Sequence, residues 1–146
     1  MANIADDITE LVGNTPLLRL HKFEKEAGFE GKILAKLEVF NPTGSVKDRI
    51  AKNMIEQAER DGRLKPGGTI IEATSGNTGI GLAAIAAAKG YQAIIVMPDS
   101  MSKERIRILE AYGAKVVLTP GEKNMGGANE KAAEILEQTE NAIITG

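Results

Sequence analysis

The sequence predicts an α/β fold: a three-layer domain with a parallel sheet and helices on both faces, preceded by an N-terminal β-hairpin-like segment. Three observations predict it. From Ser45 onward, helical stretches alternate regularly with short apolar runs of strand length, the pattern of a parallel sheet covered on both sides. Sixteen glycines among 146 residues gather where strands hand over to helices, as a ligand-binding α/β protein requires. Ahead of residue 40, two alternating runs at 15–20 and 32–38 are natural antiparallel partners.

Each element follows in order. Residues 6–12 read as a short helix ended by Gly13-Asn14. The run 15–20 is β-like with Pro16 at its start, which places it at an edge. Residues 21–28 form a short helical link, and 32–38 the second strand. A helix is predicted from Val46 to about Arg60, stopped by Asp61-Gly62, with Ser45 as its N-cap and Asp48 in a short-armed capping box. Residues 69–73 are a buried strand, 74–77 a loop, and 78–89 a helix so apolar all round that it must be sandwiched inside the fold. Residues 92–97 are a strand closed by Pro98. Ser102 caps a helix that turns Ile106, Leu109 and Tyr112 to one side, and Gly113 ends it. Residues 115–118 are a strand, 121–127 a glycine-bearing loop, 128–138 an amphipathic helix, and 142–144 a last short apolar run.

Composition narrows the function classes. The chain is 42% hydrophobic and 26% charged, with a net charge of -2, so no basic field points to nucleic acid or to a membrane surface. There is no cysteine, which excludes disulfides and thiolate metal sites and allows a cytoplasmic setting. The N-terminus has no basic region followed by an apolar one, so no signal peptide is expected. The most apolar run, 80–88, is far short of the ~20 residues that span a bilayer. No clustered metal ligands appear. His21 and the Lys103-Glu104-Arg105 run read as solvated surface.

Asn41-Pro42-Thr43-Gly44-Ser45-Val46-Lys47-Asp48-Arg49 is a turn that feeds a helix. Wound at ~100° per residue, the helix gathers Lys47, Ile50, Ala51, Met54, Ile55 and Ala58 on one inward arc. Asp48 and Arg49 fall on the other side. Lys47 is then the one charged residue facing in. Desolvation and the positive end of the helix dipole both disfavour an ammonium there, leaving a nucleophilic amine. The alternative is a lysine that snorkels from the helix end into water.

Thr74-Ser75-Gly76-Asn77-Thr78-Gly79 follows a strand and opens a helix, so its backbone N–H groups and hydroxyls suit an anion. Its glycine spacing is not the dinucleotide fingerprint, and no Gly-Lys-Ser/Thr makes it a P-loop. A generic phosphate loop remains the plain alternative.

Pro42-Thr43-Gly44-Ser45-Val46-Lys47-Asp48-Arg49, Glu72-Ala73-Thr74-Ser75-Gly76-Asn77-Thr78-Gly79, and Met97-Pro98, Met101-Ser102 and Ala111-Tyr112-Gly113-Ala114 together resemble the cysteine synthase (O-acetylserine sulfhydrylase) group of pyridoxal-phosphate (PLP) enzymes, fold type II. The resemblance covers about the first half of such an enzyme, and Ile143-Ile144-Thr145-Gly146 lies outside it. It implies that residues 1–40 join a larger domain and that 41–146 form the smaller one. It implies that Lys47 holds the PLP cofactor, that Asn77 orients its ring oxygen, and that Thr74, Ser75, Gly76, Asn77 and Thr78 bind the substrate carboxylate. The implied reaction is β-replacement: Lys47 removes the α-proton of O-acetylserine, acetate leaves, sulfide adds, and cysteine is released. A homodimer and a complex with serine acetyltransferase are implied for the intact enzyme. The implied phosphate cradle and the hydroxyl for the pyridine nitrogen lie in the second half, so these residues alone are expected to hold PLP weakly and to be inactive. Within the same chemistry, cystathionine β-synthase and serine or threonine dehydratases are the near alternatives. A non-catalytic anion-binding α/β module is the alternative from another class.

Overall fold

The structure, a computed structural model, describes residues 4–145. The two predicted N-terminal strands are β1 (Leu17–Arg19) and β2 (Leu34–Lys36), paired antiparallel with Leu18 opposite Ala35. The link between them is helix α1 (His21–Glu26). The rest alternates as expected: α2 (Lys47–Arg60), β3 (Thr69–Ala73), α3 (Asn77–Lys89), β4 (Gln92–Pro98), α4 (Lys103–Ala111), β5 (Lys115–Thr119), α5 (Asn124–Glu137) and β6 (Ala142–Ile144). Strands β5-β4-β3-β6 form one parallel sheet in that order.

The order explains the layers. The chain steps from β3 to β4 to β5 in one direction, then returns past both to place β6 beside β3. A right-handed crossover puts helices on opposite faces when the direction reverses. Accordingly Ile55, Leu82, Ile85 and Leu109 of α2, α3 and α4 share one core with Ile70, Ile95 and Met97. Ala128 and Ala132 of α5 share the other core with Ile71 and Val96. Neighbouring residues of β3 and β4 thus point into different cores, as strand pleating demands. Each fully buried Leu or Ile here is worth roughly 1.5–3 kcal/mol of apolar burial.

Two expectations are corrected. The 121–127 segment is not a loop throughout: a 3₁₀ turn at Gly121–Lys123 runs into α5, which starts at Asn124 and takes both glycines into its first turn. In the 6–12 segment, only Ile8–Leu11 is helical, as a 3₁₀ turn capped by the Asp7 side chain. The apolar run 142–144 is the edge strand β6, with Ile143 buried opposite Ile70.

Helix α2 is rotated from the predicted arc. Asp48, Ala51, Ile55 and Ala58 are its buried residues. Ile50, expected inside, is 41% exposed, and Asp48, expected outside, is fully buried. The cause is local. The Asp48 carboxylate turns back to accept the Thr43 backbone N–H at 2.7 Å and the Thr43 hydroxyl. It closes the turn before the helix instead of the predicted capping box.

Candidate active site

The turn before α2 is built for close work. Gly44 has φ +79°, a left-handed conformation in which a side chain would be strained. The helix begins at Lys47 with Val46 as its N-cap, so the predicted cap at Ser45 is corrected: Ser45 lies one residue ahead, where its hydroxyl accepts the Lys47 backbone N–H at 3.2 Å. Lys47 is the first helical residue and is half-buried, not central to the inward face. The correction follows from Asp48: once its carboxylate takes the inward position, the residue before it is turned to the rim. Among the described residues, the Lys47 side-chain amine meets no hydrogen-bond or ion-pair partner.

The second segment meets the first. Thr74 leaves β3 with its N–H donating to Val96 O at 3.0 Å. The Gly76 N–H leans on the Thr74 hydroxyl at 3.4 Å, and Asn77 starts α3. Asn77 is exposed, and its Nδ2 donates to Ser45 Oγ at 3.3 Å. Thr74, Ser75, Gly76 and Thr78 are half-buried. The helices behind touch closely: a Cβ on Gly81 of α3 would lie 3.2 Å from Lys47 O and 3.1 Å from Ala51 Cβ. Two segments 30 residues apart in sequence therefore meet at the carboxyl end of β3, where ligands of open α/β sheets bind.

The turn is braced from the N-terminal segment. Glu38 accepts from Arg49 Nε at 2.9 Å and from the Thr15 hydroxyl at 2.7 Å. Asn41, itself buried, donates to Glu38 and accepts the Gly13 N–H at 2.8 Å. The Arg49 guanidinium, then the Thr15 hydroxyl, hold the Glu38 carboxyl down at about 2. The same carboxylate raises Arg49.

The comparisons decide the family. Residues 8–146 match the family described as pyridoxal-phosphate dependent enzyme. The chain belongs to the pyridoxal-phosphate dependent enzyme family. It is 57% identical over 144 residues to a probable cysteine synthase of Bacillus subtilis, covering 99% of this chain and 46% of that protein. It is 60% identical over 117 residues to cystathionine beta-synthase of Mus musculus, covering 80% and 21%. Its fold superposes on a crystal structure of cysteine synthase from Entamoeba histolytica with a TM-score of 0.91 at 45% identity, covering 98% of this chain and 43% of that one. The chain thus spans less than half the length of these relatives. The family match runs to residue 146, which corrects the expectation that residues 143–146 lie outside the resemblance.

For a member of the PLP-dependent family, the donor set is apt. A lysine amine with no carboxylate partner, an exposed carboxamide and half-buried backbone N–H groups are what an aldehyde-bearing, anionic cofactor and an amino-acid substrate need. The described residues include no metal-ligand cluster and no helix long and apolar enough to cross a membrane. His21 is exposed, as expected.

Four participants escaped the sequence reading. Asp48 falls just beyond the inward arc of the wheel, and its spacing to Ala51, Ile55 and Ala58 is the helical signal that points to its burial. Glu38 and Arg49 are joined by a contact spanning 11 residues that no local pattern encodes. Arg105, taken as solvated surface, does lie exposed, yet its Nη1 donates to Ser75 O at 2.8 Å.

Proposed function

We propose that this chain forms the first half of a PLP-dependent β-replacement enzyme that makes cysteine from O-acetylserine and sulfide. The observation that carries the reading is Ser45 Oγ, which accepts both the Lys47 N–H and Asn77 Nδ2. It ties the amine-bearing turn to the anion-suited loop.

In this reading Lys47 holds the cofactor and, once free, takes the α-proton of the substrate at its Nζ. Asn77 orients the cofactor ring through its carboxamide. Thr74, Ser75, Gly76, Asn77 and Thr78 bind the substrate carboxylate through hydroxyls and backbone N–H groups at the α3 N-terminus. PLP, when bound, supplies the electron sink that makes the α-proton removable. The cofactor's phosphate and pyridine nitrogen are held by residues beyond 146.

The domain division follows the same reading. Residues 1–40 belong with a larger domain, and 41–146 form the smaller one. Support comes from where apolar side chains stay exposed. Among the described residues, apart from Ile108 and Leu118, the large exposed ones lie before residue 51, including Leu17, Leu34, Val39, Phe40, Val46 and Ile50. Such a concentration marks a surface made to be covered. A cytoplasmic homodimer, able to dock serine acetyltransferase, is the proposed setting of the intact enzyme.

The 60% identity to a cystathionine beta-synthase keeps one rival open. Assaying the intact enzyme with O-acetylserine plus sulfide, and separately with serine plus homocysteine, tests it. Cysteine formation as the faster reaction, lost by roughly 10²–10⁴-fold in Lys47→Ala, supports the proposal. Faster cystathionine formation, or deamination without sulfide uptake, overturns the substrate assignment. An active Lys47→Ala variant overturns the site.

A further inference from the structure

We infer that Arg105 is a positioning residue for the carboxylate subsite, acting through the peptide between Ser75 and Gly76. The inference rests on the reading of 74–78 as that subsite and adds a residue from a different element to it.

The geometry is specific. Arg105 is the third residue of α4, at the carboxyl end of β4, and β4 neighbours β3 in the sheet. Its Nη1 donates to Ser75 O at 2.8 Å, a charge-assisted bond. A peptide unit is planar and trans, so holding the Ser75 carbonyl on one side turns the Gly76 N–H to the other. That N–H has only a long contact, 3.4 Å, to the Thr74 hydroxyl. It is the weakly committed donor of the loop. Nothing lies within 4 Å of where a Gly76 Cβ would sit, so the space beside its Cα is open. Two side chains from elsewhere in the fold tie the loop, Ser45 at Asn77 and Arg105 at Ser75, beside the backbone bonds from the Thr74 N–H to Val96 O and from the Gly79 N–H to Gly76 O. Among the described residues, Arg105 is the one cation bonded to the loop, and it meets the loop on the carbonyl side, opposite the Gly76 N–H.

Arg105 is exposed, so its variants should fold. The test uses the intact, cofactor-loaded enzyme, ¹⁵N-labelled, as wild type, Arg105→Gln and Arg105→Lys. Amide hydrogen exchange is read at Gly76 and Asn77. Loss of the bond should speed exchange there roughly three- to tenfold in Arg105→Gln, with partial rescue in Arg105→Lys and no change at β4 amides. L-serine is then titrated while the Gly76 amide shift is followed, with L-serinol, which lacks the carboxylate, as control. The L-serine dissociation constant should rise by a similar factor in Arg105→Gln, and any L-serinol response should not change. Equal exchange at Gly76 and Asn77 in all three proteins overturns the inference. So does faster exchange with unaltered L-serine binding, which would make the contact merely structural. If even wild type shows no Gly76 response to L-serine, the carboxylate reading of the loop falls, and the positioning role with it.

Discussion

The buried carboxylate of Asp48 accepts the backbone N–H of Thr43 at 2.7 Å. This bond closes the turn that presents Lys47, so the residue after the candidate lysine fixes the lysine's place. Asp48→Ala leaves a buried N–H and a hydroxyl without their acceptor, at a cost of about 1–3 kcal/mol. Asp48→Asn should cost less, since its remaining oxygen can take the Thr43 N–H and its NH₂ can donate to the Thr43 hydroxyl. Chemical denaturation should place Asp48→Ala below Asp48→Asn. A wild-type midpoint for Asp48→Ala contradicts the account.

Gly81 sets the spacing of α2 and α3 beside the same turn. A methyl group there would meet Ala51 Cβ at 3.1 Å and Lys47 O at 3.2 Å. Helix packing is too dense to absorb this freely, and Gly81→Ala should cost roughly 1–3 kcal/mol despite its gain in helix propensity. Calorimetry of Gly81→Ala should show a lower Tm. A raised Tm would mean that the helices separate easily.

Glu38 makes stability depend on pH. Its carboxyl sits at about 2 in the folded protein, below the ordinary glutamate value of 4.5. The folded state therefore holds fewer protons in that interval. The contribution of Glu38 is complete above about 4.5 and fades as pH falls toward 2. Glu24, Asp7 and Glu134 are also lowered and act in the same direction. Comparison with Glu38→Gln isolates the one group. Urea midpoints measured from pH 7 to pH 2.5 should fall less steeply for Glu38→Gln than for wild type. Parallel curves would show that the Arg49 contact does not bear on stability.

Ser45→Ala removes the one atom that accepts from both Lys47 and Asn77. A modest loss of stability, about 0.5–1.5 kcal/mol, is expected for the lost hydrogen bonds. The more telling sign is local: the Asn77 side-chain amide resonances should shift and broaden while those of Asn53 stay put. Unmoved Asn77 signals would show that the two segments meet without Ser45.

The strand and helix order was legible because it rests on short-range patterns. The runs at β3, β4 and β5 were placed to within a residue, since buried parallel strands are short apolar runs between glycine-marked turns. The pairing of β1 with β2 was legible for the same reason. What failed was the phase of α2. A helical wheel assigns faces by polarity, and it cannot see that a carboxylate is satisfied by a turn five residues earlier. The start of α5 was missed because glycines at 126 and 127 look like loop, although the first turn of a helix tolerates them when the rest of the helix packs. The lysine and its loop were visible as motifs. The contacts that hold them, Asp48 to Thr43, Arg49 to Glu38 and Arg105 to Ser75, join residues whose approach only the tertiary fold decides.

The central claim is that Lys47 is the amine that takes the cofactor. Treating the protein with PLP, reducing with borohydride and mapping the modified peptides by mass spectrometry tests it most directly, because reduction traps even a weakly held cofactor. The account predicts that the pyridoxyl group accumulates on Lys47 well ahead of the exposed lysines such as Lys22, Lys103 and Lys115. Labelling that follows exposure alone, with Lys47 no richer than those three, would contradict it.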